Sequence, residues 1–272
     1  PINLINGRIT KKTFRNWNLV PNFSKKFFSK FNLCLASSIQ SKKFLEKLGV
    51  KKVLFLGNLK FAETEQEIKE INKNLKKNLD LRKIWCASST HETEEDICGK
   101  IHIKLKKKHK NLLTIIIPRH VERTNSIISE LSKYNLNVQK FSSNDKKIYS
   151  NTDIYLIDAY GVNKSFYNYC KIVFVGGSLI KHGGQNPLEA ARFGCNILHG
   201  PYISNFSDIY KFLKKCNMTK RVSNFQSMYW TLDGLFTKKN TTNKTQKKIM
   251  IIGQNIFKKT YNEINKLLKD EI

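Results

Sequence analysis

Long apolar runs are missing from this sequence of 272 residues, in which no stretch approaches eighteen uncharged apolar residues. A membrane-spanning helix needs about 20 such residues, so the sequence predicts none. No signal peptide is recognisable at the amino terminus. The apolar fraction of 40% is nevertheless ordinary for a globular protein, and the length allows one large domain or two small ones with a buried core.

Paired cysteines are also lacking, because the six cysteines form no CxxC motif. Several lie in apolar runs typical of strands, such as Cys86 in KIWCAS and Cys195 in GCNIL, where a free thiol behaves as a small hydrophobic group. The sequence therefore predicts a reduced, cytoplasmic protein without a disulfide framework or a zinc site.

Several familiar site motifs are absent. Neither GxGxxG nor GxxxxGK[ST] occurs, and His91-Glu92 does not continue to HExxH. A dinucleotide site, a Walker-type site and a zinc-protease helix are therefore not predicted.

Acidic residues are few, with 21 Asp and Glu against 49 Lys and Arg, which gives a formal net charge of +28. Such a field attracts nucleic acid or an anionic membrane surface. A second interpretation is that Lys is simply the usual surface residue of a Lys-, Asn- and Ile-rich sequence. The positive residues are dispersed in short groups and no nucleic-acid-binding motif is visible, so nucleic acid is not expected as a partner.

Apolar runs of strand length alternate with helical patterns along most of the chain. The strand candidates are 53–57, 83–89, 112–118, 137–142, 153–158, 171–178 and 195–200. The helical candidates lie near 63–78, 91–108, 121–133, 164–170, 187–193 and 205–215. This alternation predicts an α/β protein whose parallel sheet is covered on both faces.

The pattern divides the chain into three parts. Residues 1–55 are predicted to be the tail of an amino-terminal α/β domain, 56–246 a Rossmann-like carboxy-terminal domain, and 247–272 a helix that packs back toward the first domain. The region 217–246 is read as a long polar stretch. Because the chain opens on Pro1 within a predicted strand, we expect the upstream part of a longer protein to be missing.

Polar or Gly-rich sequence follows four of the predicted strands, and ligands of parallel sheets bind beyond the carboxyl ends of their strands. Ser89 and Glu92 are read as a capping box at the start of a helix, with acidic residues behind them at its positive end. Arg119, directly after Pro118, is placed to bind a phosphate with its planar guanidinium, although a surface Arg after a strand is common.

The most specific signal is the Gly-rich segment 176–189. Gly176, Gly177 and Ser178 are predicted to form a tight turn that exposes its amides. Asn186 is expected to be the N-cap of a following helix, with Pro187 at its first position and Glu189 in its first turn, where a carboxylate can accept two ribose hydroxyls.

Five ordered segments resemble motifs of the 3-deoxy-D-manno-octulosonic acid (Kdo) transferase family, which has the two-domain GT-B glycosyltransferase fold. They are PINLINGRIT at 1–10, LGNLKF at 56–61, ASSTHETEE at 87–95, IIIPRHVER at 115–123 and FVGGSLIKHGGQNPLEAARFGCNILHGPYISNF at 174–206. The similarity covers nearly the whole chain.

The resemblance implies an inverting transfer of Kdo from CMP-Kdo to a lipid A precursor, with no cofactor and no metal at the nucleotide site. It implies peripheral contact with an anionic membrane at the cytoplasmic face of the bacterial inner membrane. The residues that it implies for CMP-Kdo binding are Pro118, Arg119, Tyr160, Gly161, Val162, Gly176, Gly177, Ser178, Asn186, Pro187, Leu188 and Glu189.

Three departures from the family pattern stand out. The loop 158–163 lacks an acidic residue that the family usually has after its Gly, and Gln185 replaces a family His. The family's catalytic base is a Glu that would lie upstream of Pro1, so no residue here inherits that role. The alternatives are a different GT-B enzyme, such as a UDP-sugar transferase or epimerase, and a basic nucleic-acid-binding protein.

Overall fold

The structure, a computed structural model, describes residues 2–62, 71–141, 147–237 and 243–269. The chain divides into two compact units, one formed by Pro1–Thr64 with Lys247–Ile272 and the other by Glu65–Gln246. The predicted division into the tail of an amino-terminal domain at 1–55, a Rossmann-like domain at 56–246 and a packing helix at 247–272 stays a prediction.

The first unit contains a parallel sheet of three strands in the order β1-β2-β3. Its elements are β1 (Ile2–Gly7), α1 (Lys11–Asn18), α2 (Pro21–Phe28), β2 (Phe31–Ala36), α3 (Ile39–Lys47) and β3 (Val53–Leu54), and its last helix is Asn243–Lys269. Thr10 caps α1 by accepting the N–H of Thr13, and Pro21 occupies the first position of α2, where no intrahelical donor is needed. Buried apolar side chains from α2, β2 and α3 form its core.

The second unit is built around a parallel sheet of seven strands. Its elements are α4 (Lys73–Asp80), β4 (Lys83–Thr90), α5 (Glu94–Lys106), β5 (Leu112–Pro118), α6 (Thr124–Ser132), β6 (Val138–Lys140), β7 (Ile154–Leu156), α7 (Asn163–Tyr167), β8 (Ile172–Val175), α8 (Leu188–Arg192), β9 (Asn196–His199), α9 (Ser207–Lys215), β10 (Thr219–Arg221) and α10 (Phe225–Phe236). None of the described helices is long and apolar enough to cross a membrane.

The strand order of this sheet is β10-β9-β8-β4-β5-β7-β6. All of its described strand pairs are parallel, and every residue of β5 is buried. Because successive side chains of a strand point to opposite faces, both faces of this sheet are covered, as the sequence predicted. The predicted α/β class is therefore confirmed.

The strand order places a topological switch point between β4 and β8. Strands β5, β7 and β6 lie, in this spatial order, on one side of β4. The chain then returns to the other side of β4, where it forms β8, β9 and β10. In open parallel sheets the crevice at such a point, outside the carboxyl ends of the strands, is where ligands bind.

The sequence missed three elements. The region 217–246 was read as polar, yet it contains β10 and α10; α2 was not predicted either. Asn224 and Ser227 form a capping box at the start of α10, and Met228, Tyr229 and Leu232 are its buried face. Part of the predicted helical segment 63–78, residues 63–70, lies outside the described residues.

Candidate functional site

The loops that follow β8, β4, β5 and β7 meet at the carboxyl edge of the second unit's sheet, because these four strands are consecutive neighbours. Ser88 of β4 pairs with Ile117 of β5 on one side and with Val175 of β8 on the other. The strand ends are thus level, and the sequences after Thr90, Pro118 and Val175 leave the sheet side by side.

Glu94, in the first turn of α5, holds the Gly-rich loop in place. Its carboxylate accepts the backbone N–H groups of Gly177 at 2.7 Å, Ser178 at 3.1 Å and Leu179 at 3.0 Å. It also accepts the N–H of His91 at 3.0 Å. Burial raises the pKa of Glu94, and the four N–H donors act in the opposite direction. The carboxylate therefore joins the two sides of the switch point.

These contacts change the interpretation of the Gly-rich turn. The sequence predicted that the turn would expose its amides to a ligand, but the amides at positions 177–179 already donate to Glu94. The Ser178 hydroxyl is also engaged within the protein, because it donates to the Val175 carbonyl at 2.5 Å and accepts the N–H of Gly200 at 2.8 Å. The turn thus shapes the site, and its N–H groups donate to the Glu94 carboxylate.

Gly176 and Gly177 are required by space and by backbone conformation. A Cβ on Gly176 would lie 2.4 Å from the Ser89 carbonyl oxygen and 2.8 Å from a Glu94 carboxylate oxygen. Gly177 has a φ of 62°, in the left-handed region. These two glycines let the loop pass directly over the end of β4.

The start of α8 differs from the sequence prediction by one residue. Pro187, predicted at the first helical position, is the N-cap, and the helix begins at Leu188. Asn186, predicted as the N-cap, still caps the helix, because its side-chain oxygen accepts the N–H of Leu188 at 3.2 Å. Glu189 lies in the first turn, as predicted.

The predicted capping box at Ser89 and Glu92 is wrong. Ser89 belongs to β4 with a φ of 55°, and α5 begins only at Glu94 after Thr93 as N-cap. The acidic residues behind it do lie in the first turn of α5. Two of them, Glu94 and Glu95, have specific partners across the site.

Pro118 and Arg119 occupy the loop after β5. Pro118 is buried at the end of the strand, whereas Arg119 is exposed and anchored by its N–H, which donates to the Thr90 carbonyl at 3.0 Å. Within the described part of the chain, the Arg119 guanidinium makes no hydrogen bond or ion pair. A planar group of five donors is therefore available at this edge of the sheet.

The same loop is fixed by a buried ion pair. Arg123 donates to both carboxylate oxygens of Glu95, at 2.9 Å and 3.3 Å, and Glu95 is fully buried in the first turn of α5. Burial raises the pKa of Glu95, and Arg123 acts in the opposite direction. The loops after β4 and β5 are thereby tied together.

The loop after β7 carries Tyr160, Gly161 and Val162. Tyr160 is exposed, and its hydroxyl donates to Glu122 at 3.1 Å. A Cβ on Gly161 would meet nothing within 4 Å, so this glycine borders open space. Val162 is buried and precedes α7. The loop thus presents Tyr160 and the Gly161 backbone to solvent at the same edge.

Sequence reasoning gave little weight to three histidines at this edge. His91, His120 and His182 follow β4, β5 and β8, and the ring centroid of His91 lies 5.9 Å from that of His120 and 4.2 Å from that of His182. Burial and the neighbouring His182 lower the pKa of His91 to about 4. Their common position, within four residues after a predicted strand, is the signal that could have found them.

The fold and the site together define the class of protein. A Rossmann-like parallel sheet with Gly-rich and Arg-bearing loops at its switch point is typical of the nucleotide-binding domain of GT-B enzymes. The C-terminal CMP-Kdo binding domain of WaaA from Acinetobacter baumannii matches with a TM-score of 0.54 and 23% identity, over 66% of this chain and 91% of that one. UDP-GlcNAc 2-epimerase from Neisseria meningitidis, bound to UDP-GlcNAc, matches with a TM-score of 0.57 and 16% identity, over 99% and 69%.

The sequence comparisons narrow this class to one family. The family described as 3-Deoxy-D-manno-octulosonic-acid transferase (kdotransferase) matches residues 1–63. The 3-deoxy-D-manno-octulosonic acid transferase of Rickettsia felis is 32% identical over 240 residues, 88% of this chain and 51% of its own length. That of Haemophilus influenzae is 32% identical over 220 residues, 78% and 51%.

Over the part of the family's length that it spans, this chain is therefore similar to the Kdo transferase family. It covers about half the length of these curated relatives, 51% in both cases.

Proposed function

We propose that this chain supplies the donor-binding part of a glycosyltransferase that moves Kdo from CMP-Kdo to a lipid A precursor in lipopolysaccharide biosynthesis. The observation that carries the proposal is that the Pro118-Arg119, 160–162 and 176–189 loops, after β5, β7 and β8, all lie at the carboxyl edge of one sheet. The similarity to Kdo transferases supports the choice of sugar and of nucleotide.

The proposed donor contacts follow from the chemistry of each group. The exposed guanidinium of Arg119 matches a phosphate, to which it can donate two parallel hydrogen bonds. Glu189, in the first turn of α8, would accept ribose hydroxyls. Tyr160, Gly161 and Val162 would contact the cytosine base, and Asn186, Pro187 and Leu188 would hold the nucleotide at the start of α8.

The rest of the reaction needs groups that we do not assign to this chain. An inverting transfer requires a base within hydrogen-bond reach of the acceptor hydroxyl, and no residue in this sequence matches the family's catalytic Glu. We infer that the polypeptide binds CMP, with neither metal nor cofactor at the nucleotide site, and does not transfer Kdo by itself.

The acceptor and the site of action are part of the same proposal. A lipid A precursor is an anionic phosphoglycolipid, and the net charge of +28 favours peripheral contact with an anionic membrane surface. We therefore place the protein at the cytoplasmic face of the bacterial inner membrane.

Calorimetry with CMP and UMP tests the donor assignment. We expect CMP to bind more tightly than UMP, and Arg119→Ala and Glu189→Ala each to weaken CMP by about tenfold, because each removes charge-assisted hydrogen bonds. Arg15→Ala, the same change at an exposed position of α1, is the matched control and should leave CMP affinity unchanged.

Other outcomes of these measurements would favour a different function. Tighter binding of uridine nucleotides would favour a UDP-sugar transferase or epimerase. Salt-sensitive RNA binding that both variants leave intact, without nucleotide binding, would favour a nucleic-acid-binding protein. Kdo transfer to a lipid A precursor by the 272-residue polypeptide would contradict the inference that its base is supplied from elsewhere.

A further inference from the structure

Three histidines that lie far apart in the sequence meet beside the Gly-rich turn. They lie in the loops that follow three adjacent strands, β8, β4 and β5, and none is among the proposed nucleotide contacts. A Cβ on Gly177 would lie 3.2 Å from His91 and 3.2 Å from His182, so the turn passes directly against both rings. The group therefore borders the proposed donor site.

The protonation state of His91 follows from its neighbours. Its Nδ1 lies 3.2 Å from the Ser89 carbonyl oxygen, which can only accept, so Nδ1 carries the proton and donates. Burial, His182, His120 and Arg123 all lower the pKa of His91, to about 4, so the ring is neutral near pH 7. Its Nε2 therefore presents a lone pair.

That lone pair has no partner. His91 is only 8% exposed, and among the described residues its Nε2 is a buried nitrogen without a hydrogen bond. Buried polar atoms are nearly always satisfied, and an exception in a binding cleft points to a missing partner. An acceptor nitrogen needs a donor, such as a hydroxyl.

The surroundings of His91 do not fit a metal ion. The rings of His91 and His182 pack against each other, with centroids 4.2 Å apart and planes tilted by 45°. Nowhere in the described ranges do three or more His, Cys, Asp or Glu side chains form a group that could hold a metal ion. His120 and His182 are exposed, so they form the outer wall above the buried ring.

We propose that His91 belongs to a sugar subsite, in which its Nε2 accepts a hydrogen bond from a hydroxyl of the sugar carried by the nucleotide. This inference rests on the proposed donor function and adds the residue that recognises the sugar. The subsite lies on the Gly177 side of the nucleotide loop, with His120 and His182 as its walls.

The test compares two ligands on four forms of the 272-residue chain, the parent and three variants. Calorimetry gives the dissociation constants of CMP and of freshly prepared CMP-Kdo, whose ratio isolates the sugar contribution. His91→Asn keeps a donor toward the Ser89 carbonyl and lacks an acceptor at the ε position. His91→Gln places an amide near that position. His109→Asn is the matched control, because His109 precedes β5 at the opposite edge of the sheet.

We expect the parent chain to bind CMP-Kdo more tightly than CMP. His91→Asn should weaken CMP-Kdo by about tenfold and leave CMP within about twofold, because one hydrogen bond to the sugar is lost. His91→Gln should retain part of the preference, and His109→Asn all of it.

The results distinguish a failure of the sugar subsite from a failure of the proposed donor function. Equal loss of both ligands in His91→Asn would show that His91 only supports the loop, and it would overturn the sugar subsite, as would an unchanged ratio. CMP binding without any preference for CMP-Kdo in the parent would also overturn the subsite and leave the nucleotide site standing. A parent that binds neither ligand would overturn the proposed function and the subsite together.

Discussion

Glu94 is a buried carboxylate that accepts four backbone N–H groups. A neutral side chain at this position would leave at least one of these N–H groups without an acceptor. At Glu94 both carboxylate oxygens accept, one from Ser178 and Leu179 and the other from His91 and Gly177. An amide at this position would turn one of these acceptors into a donor. The arrangement of the site therefore depends on the charge state of a single side chain.

We predict that Glu94→Gln destabilises the protein by about 2–4 kcal/mol and weakens CMP binding. Two of the four N–H groups would face an NH₂ group, and an unsatisfied buried donor costs about 1–3 kcal/mol. Urea denaturation measures the first effect and calorimetry the second.

Glu92→Gln is the matched control for this substitution, since Glu92 is exposed two residues earlier. It should change stability by less than about 0.5 kcal/mol. Equal effects of the two substitutions would contradict the role that we give to Glu94.

At the scale of residues, the sequence predicted where a residue lies in the fold better than it predicted which groups that residue contacts. Arg119 could be placed from its neighbours, because it directly follows an apolar strand and a proline. Three of the four partners of Glu94 could not, because they lie 83 to 85 residues further along the chain. His91 was passed over for a similar reason, since its burial depends on loops from two other strands.

At the scale of elements, the Gly-rich loop and α10 offer opposite outcomes for the same substitution. We predict that Gly176→Ala destabilises the protein by about 2 kcal/mol or more and abolishes CMP binding, because backbone atoms fill the space that a Cβ would need. Gly234→Ala, where a Cβ on α10 would meet nothing within 4 Å, should stabilise by about 0.5–1 kcal/mol.

Thermal or chemical denaturation of the two variants measures this difference. Because the substitution is identical, its effect on the unfolded chain is similar in both. A Gly176→Ala protein as stable as the parent would show that the loop does not need its close approach to β4.

The long apolar elements were predictable, and the short or polar ones were not. Strands β4 and β5 contain the apolar runs IWCA and LLTIII, the second interrupted only by Thr114, so their existence and parallel pairing followed from the pattern. Strand β10 has only three residues, two of them basic, and gains its place from pairing with β9.

At the scale of the whole molecule, the net charge of +28 predicts binding to anionic surfaces. We expect the chain to bind vesicles that contain phosphatidylglycerol and not vesicles of phosphatidylcholine alone, in a cosedimentation assay. Raising the salt from about 0.1 M to about 1 M should release it, because the Debye length falls from about 10 Å to about 3 Å.

Arg15→Ala with Lys12→Ala should reduce this binding modestly, since each exposed basic residue near such a surface contributes about 1 kcal/mol at most. Equal binding to neutral and anionic vesicles would mean that the positive surface has no role in membrane contact.

The strand order also has a consequence for biosynthesis. A ribosome makes Glu94 more than eighty residues before the loop that satisfies it, and β4 waits as long for its neighbour β8. Until then Glu94 lacks three of its four N–H donors and one edge of the central strand β4 is unpaired, which is the kind of intermediate that chaperones bind. The contacts that close the site can thus form only after the chain has been made as far as Leu179.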